Sequence, residues 1–290
     1  MQLRGSICAL VTPFSSAGDL DLEAFERLLD WHASAGTQAV VIGGSTGESG
    51  ALETTEVVRL VRQARQKSRA QLQIWAGIGA PATHKALHLG EALIDAGAQV
   101  LLAVTPYYSR PPQEGLYRHY QQLADQLAAP LVLYNVPGRT GVDLLPETVA
   151  RLIDHPNIIG IKEAVGRDDR LQAMLALRRP DFAILSGDDG TCAEWMVQGA
   201  DGVVSVAANV VPELMAHLAT LAQDDPQGCR ALDLRLRALY VALESAPNPM
   251  PVKALLARLG HCGPTLRLPL IELEPSHEAH LLTVHEQLHA

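Results

Sequence analysis

Residues 157–165 read NIIGIKEAV, a run of β-branched residues with no polar alternation until Lys162. A strand with one wet face alternates apolar and polar residues; a continuous apolar run implies a strand covered on both faces, as in a parallel sheet. Seven further runs share this character: SICALV (6–11), AVVIG (39–43), LQIWAG (72–77), VLLAV (100–104), LVLYN (131–135), FAILS (182–186) and GVVSV (202–206). Amphipathic stretches separate them, among them LEAFERLLDWHASAG, TTEVVRLVRQARQ and PETVARLID. Eight strands, each followed by a helix, predict a (β/α)8 TIM barrel, an α/β fold that takes about 250 residues. The eighth barrel helix falls near VPELMAHLATLAQ (211–223). Residues 224–290 carry helical pattern and no strand, so the division predicted is a catalytic barrel over 1–223 and a C-terminal helical extension over 224–290. An open doubly wound sheet is the competing arrangement. It has fewer strands and a glycine fingerprint after the first, whereas strand 1 here ends in VTPF.

At 290 residues and 48% hydrophobic, the chain can bury a large core. Its net charge is −9 and its 23 basic residues form no cluster, which argues against nucleic acid and anionic membranes as partners. No stretch approaches the roughly 20 apolar residues of a membrane span, and the N-terminus reads as a first strand rather than a signal peptide. Cysteines 8, 192, 229 and 262 form no CxxC pair, so neither a metal cage nor a disulfide framework is expected. A reduced, cytoplasmic protein is the expectation.

In such a barrel the active site forms at the C-terminal ends of the strands. The segments just past the runs are rich in hydroxyls, tyrosines and glycines: GGSTGES (43–49), TPYYSRP (105–111), YNVPGRTG (134–141), KEA (162–164), SGDDG (186–190). The chain has four lysines, at 67, 85, 162 and 253. Three lie in helical segments where the ammonium can stay in water; Lys162 enters the barrel. An amine is a nucleophile only when deprotonated, and desolvation favours that form. Glu163, the next residue, should face the other side of the strand and leave the amine unneutralised. A lysine snorkelling to the rim is the plainer alternative. Tyr134 ends the preceding strand, where a phenol could shuttle protons or simply be a core tyrosine. Ser45 and Thr46 offer hydroxyls and backbone N–H groups to a carboxylate, in a loop that is neither GxGxxG nor a Walker loop. Arg139 sits in a Gly/Pro-shaped loop and suits a second carboxylate. His84 and His88 are spaced for a metal, but HKALH is not HExxH and lies on an outer helix, so no metal site is read there. Asp188 and Asp189 receive no chemical role.

With GSTGES, VTPYYSRP, YNVPGRTG and GIKEA in this order and spacing, the sequence resembles the dihydrodipicolinate synthases of the pyruvate-dependent class I aldolase family. The resemblance runs from GSICALVTPF to TLRLPL. It implies condensation of pyruvate with L-aspartate 4-semialdehyde, with Lys162 forming an imine, Tyr134, Ser45 and Tyr108 relaying protons, and Tyr108 donated across a subunit interface. Thr46, Gly187 and Val204 would contribute to substrate binding, and Arg139 would hold the semialdehyde carboxylate. It also implies a homotetramer, a dimer of dimers, with neither metal nor organic cofactor. Ser45 replaces the family's usual threonine and is typical of the related N-acetylneuraminate lyases, so a pyruvate-releasing sugar-acid aldolase is the alternative; Arg139 speaks against it. Lysine-sensitive relatives grip that amino acid with polar, histidine and acidic groups in segments matching 50–57 and 81–85. Thr54, Val57, Pro81 and Lys85 stand there, which predicts weak or absent inhibition by L-lysine.

Overall fold

The structure, a computed structural model, describes residues 3–67 and 72–288. Eight parallel strands close into a barrel in sequence order: β1 (Gly5–Ala9), β2 (Ala39–Ile42), β3 (Gln73–Gly77), β4 (Val100–Val104), β5 (Leu131–Asn135), β6 (Ile158–Glu163), β7 (Ala183–Ser186) and β8 (Gly202–Ser205), with β8 pairing back to β1. Period-two geometry divides each apolar run between two cores. Ile7, Ala9, Val41, Trp75, Leu102, Val132, Tyr134, Leu185 and Val204 point inward and fill the barrel. Cys8, Val40, Ile42, Leu101, Leu133, Ile161 and Val203 point outward beneath the helices. Both faces are therefore dry, which is why the runs show no polar alternation.

The barrel helices are α1 (Leu22–Ser34), α2 (Thr54–Lys67), α3 (Thr83–Asp95), α4 (Gln113–Gln126), the short α5 (Pro137–Thr140) and α6 (Pro146–Ala150), α7 (Asp168–Leu175), α8 (Asp189–Val197) and α9 (Pro212–Asp224). α1 starts where the Asp21 carboxylate accepts the Ala24 N–H at 2.9 Å, an N-cap satisfying one of the helix's orphan donors. Strand ends differ from the sequence reading by a residue or two. β1 stops at Ala9 rather than Val11, whose N–H is taken by the Asn209 side chain at 3.0 Å instead of a strand partner. PETVARLID is helical only as far as Ala150.

After the barrel come α10 (Pro226–Leu243), α11 (Met250–Arg258) and α12 (Pro275–Leu288). α10 packs on α8 and α9, and α12 packs on α10 and α11. Between α11 and α12 the chain returns across the C-terminal ends of the strands. Arg267 pins it there: its guanidinium donates to Gly18 O at 3.0 Å and Ala51 O at 2.9 Å, and pairs in a fork with Glu56 at 2.6 and 2.7 Å. No helix among the described residues is long and apolar enough to cross a membrane.

Candidate active site

Lys162 is an inward position of β6, abreast of Tyr134 on β5 and Leu185 on β7. Its side chain is 5% exposed, with Nζ 4.0 Å from the centre of the Tyr134 ring. It makes no ion pair or hydrogen bond among the described residues. Gly187, just past β7, leaves room for the lysine stem: a Cβ there would lie 2.9 Å from Lys162 Cε and 3.0 Å from Cγ. Neither Gly187 nor Val204 lines the cavity; Val204 belongs to the inner core.

Glu163 does face outward, into a buried network. It accepts from Asn135 Nδ2 at 3.0 Å, Val165 N–H at 2.8 Å and Arg170 at 3.1 Å. Arg170 also pairs with Asp143 at 2.5 Å, and Asn135 accepts the Leu144 N–H at 2.9 Å. Burial pushes the Glu163 carboxyl upward, against the pull of Asn135, Val165 and Arg170. Burial also tends to raise Asp143, but Arg170 and Asn135 outweigh it and hold that carboxyl below its usual value. The network fastens β6 to the 136–145 segment that carries Arg139, of which Pro137–Thr140 is helix (α5) rather than the loop read from sequence.

A cavity of about 510 Å³ opens over Lys162, lined by Tyr134, Ser45, Thr46, Arg139, Leu102 and Tyr107 among others. Its floor near β3 depends on close backbone approach: a Cβ at Gly77 would sit 2.4 Å from Gly43 O, so only glycine lets the 43–51 turn settle against the sheet. Thr46 is buried and Ser45 half-buried; no hydrogen bond occupies the Ser45 hydroxyl among the described residues. Arg139 is exposed at the mouth and has no acidic partner there among the described residues. Tyr108 is not brought to Lys162. It is 94% exposed with φ of 72°, a left-handed conformation rare for a bulky residue. His88 pairs with Glu91 at 3.6 Å on the surface, and no cluster of three metal-ligating side chains occurs among the described residues.

One sequence expectation is corrected. Lys253 is not solvated: it is fully buried on α11, with Nζ 2.5 Å from Glu48 Oε1 and 4.2 Å from the centre of the Phe14 ring. Burial lowers its pKa, and the Glu48 carboxylate opposes the shift. Its neighbours Val252, Ala254, Leu255 and Leu256 are all buried. A helix apolar on every side is a buried helix, and MPVKALLA carried that signal. Glu48, Asn248, Arg267, Pro269 and Leu270 also line the cavity, and none was singled out as a site residue from sequence. The last four come from a segment more than 80 residues beyond Lys162, which only tertiary packing brings to the mouth.

Residues 2–288 match the Dihydrodipicolinate synthetase family. A 4-hydroxy-tetrahydrodipicolinate synthase of Xanthomonas campestris pv. campestris is 47% identical over 279 residues, covering 96% of this chain and 92% of that one. The chloride-inhibited dihydrodipicolinate synthase of Acinetobacter baumannii, solved with pyruvate, superposes with a TM-score of 0.97 at 39% identity, covering 99% of each chain. A monomeric dihydrodipicolinate synthase variant superposes with a TM-score of 0.96 at 37% identity, over 99% of this chain and 97% of its own. By its sequence, its closed barrel and the residues at its mouth, this chain belongs to the dihydrodipicolinate synthetase family.

Proposed function

We propose that the chain condenses pyruvate with L-aspartate 4-semialdehyde through an imine on Lys162. The observation that carries this reading is a buried lysine facing a cavity with no acid paired to it, while the adjacent Glu163 is tied to Arg170 on the strand's other face. The Lys162 amine adds to the keto carbon of pyruvate, and water leaves to give the imine. Loss of a methyl proton gives an enamine, whose carbon attacks the aldehyde. The semialdehyde amine then adds to the imine carbon, closing the ring and releasing Lys162. Tyr134, whose ring face lies 4.0 Å from the amine, moves protons in carbinolamine formation and dehydration in this reading. Ser45 joins that relay, and Tyr108 reaches it from a second subunit. Thr46 binds the pyruvate carboxylate, and Arg139 that of the semialdehyde. The 1–223 barrel supplies the chemistry, and the 224–290 extension completes the mouth. The enzyme acts as a homotetramer in the cytoplasm. Cys8, Cys192, Cys229 and Cys262 are all free, as suits a reducing compartment.

Borohydride reduction in the presence of pyruvate, read by mass spectrometry, tests the imine directly. The unaltered protein should gain one reduced pyruvate adduct, mapped to the peptide containing Lys162. Lys162→Ala should show no adduct and no semialdehyde-dependent pyruvate consumption, with an unchanged circular dichroism spectrum. Turnover surviving in that variant would sink the assignment. N-acetylneuraminate should release no pyruvate; its cleavage would transfer the assignment to a sugar-acid aldolase.

A further inference from the structure

The 43–51 turn brings the hydroxyl residues Ser45, Thr46 and Ser49 to the cavity wall, and its conformation is imposed from the C-terminal segment. Glu48 adopts φ of 56°, left-handed for a residue with a Cβ. It is held there by the buried Lys253 at 2.5 Å and by the Arg267 backbone N–H at 3.0 Å. Asn248, between α10 and α11, also lines the cavity, and its Nδ2 donates to Thr46 Oγ1 at 2.9 Å. The Thr46 hydroxyl gives its hydrogen to no acceptor among the described residues. A hydroxyl that accepts from an amide has one hydrogen left to donate, and here the open direction is the cavity. The amide oxygen of Asn248 is buried with no hydrogen-bond partner among the described residues.

We propose that Asn248 is a positioning residue for the first substrate: by donating to Thr46 it turns that hydroxyl into an obligate donor toward the pyruvate carboxylate, on a turn kept in register by the Glu48–Lys253 pair. The inference rests on the pyruvate-imine reading above. It assigns to the helical extension a share in binding pyruvate. Glutamine or serine at 248 could keep the function only by reproducing a donor at the Thr46 oxygen. An aspartate of the same shape reverses it, because a carboxylate only accepts. Thr46 would then donate to position 248, leaving a lone pair and a negative charge facing the substrate anion.

The test measures half-saturating pyruvate for borohydride trapping, with the KM for semialdehyde and the melting temperature alongside. Asn248→Asp should raise half-saturating pyruvate about tenfold or more, the loss of one hydrogen bond to a charged group, while the semialdehyde KM moves less than about twofold. Asn248→Ala should raise it about threefold with Thr46 present, and by much less in a Thr46→Val background, since the two residues act through one bond. Trapping by Asn248→Asp within about twofold of the unaltered protein would overturn the proposal, as would additive effects of Asn248→Ala and Thr46→Val. A fall in melting temperature with unchanged pyruvate saturation would make Asn248 a structural staple. Failure of the unaltered protein to trap pyruvate is a separate result, which would overturn the imine reading itself.

Discussion

Lys162 and Lys253 are both buried, and their surroundings give them different fates. Lys253 has a carboxylate at 2.5 Å and an aromatic face beside it, so its charge is matched and its role is to hold Glu48. Lys162 has a phenol ring and an open cavity. Removing one partner of a buried pair strands the other as an unpaired charge. Lys253→Met should therefore lower stability by about 3–5 kcal/mol in urea unfolding, and adding Glu48→Gln should restore much of the loss. A Lys253→Met protein as stable as the parent would mean that the pair holds nothing together. His32 sets a second residue-level expectation. It is fully buried on α1, its Nδ1 3.0 Å from Thr37 Oγ1, and burial lowers its pKa to about 3. In the unfolded chain the imidazole titrates near 6.5. Between these values the unfolded state binds the extra proton, so stability rises with pH there. The contribution is complete above about pH 6.5 and declines as pH falls toward 3, by up to about 1.4 kcal/mol per unit. Replacing His32 with Gln should flatten that acid limb in unfolding measurements between pH 4 and 7. An unchanged slope would assign the limb to other groups.

At the scale of elements, the alternation of β5 and β6 separates chemistry from scaffolding. Tyr134 and Lys162 face in, while Asn135 and Glu163, one residue on, face out and knot the strands to Arg170 and Asp143. Arg170→Met would leave Glu163 buried without its cation and free the 136–145 segment. We expect a loss of about 3 kcal/mol or more together with a raised KM for the semialdehyde and a nearly unchanged KM for pyruvate. Were the pyruvate KM to rise instead, the network would be serving Lys162 rather than Arg139. The strands themselves were legible because short apolar runs, mostly rich in β-branched residues, alternate along the chain with longer amphipathic stretches. Their ends were not. Val11 leaves the ladder because Asn209, 198 positions away, takes its N–H, and no local pattern encodes that.

For the whole molecule, Tyr108 is exposed and left-handed, and in the assembly proposed above it enters the relay of a second subunit. Tyr108→Phe should reduce kcat about a hundredfold or more, the scale of a lost proton-transfer group, with the oligomeric mass in sedimentation unchanged. Full activity would remove the tyrosine from the relay. Feedback is expected to be weak. Val57 is buried beneath the 43–51 turn, and Lys85 puts a cation on the surface where an acid would be needed to hold the lysine amine. Half-inhibition by L-lysine below about 1 mM, roughly −4 kcal/mol of binding, would contradict that.

The sequence by itself determined the barrel, the inward lysine and the polarity of the rim, because strand periodicity and apolar runs are local and each residue's face follows from its neighbours'. The tertiary structure alone decided that Lys253 is buried, that Glu48 is clamped, and that Asn248 and Arg267 reach the cavity. Those contacts join positions more than 200 residues apart. Side chains that distant are matched by the closing of the barrel and the return of the chain across its mouth, and no periodicity records such a return.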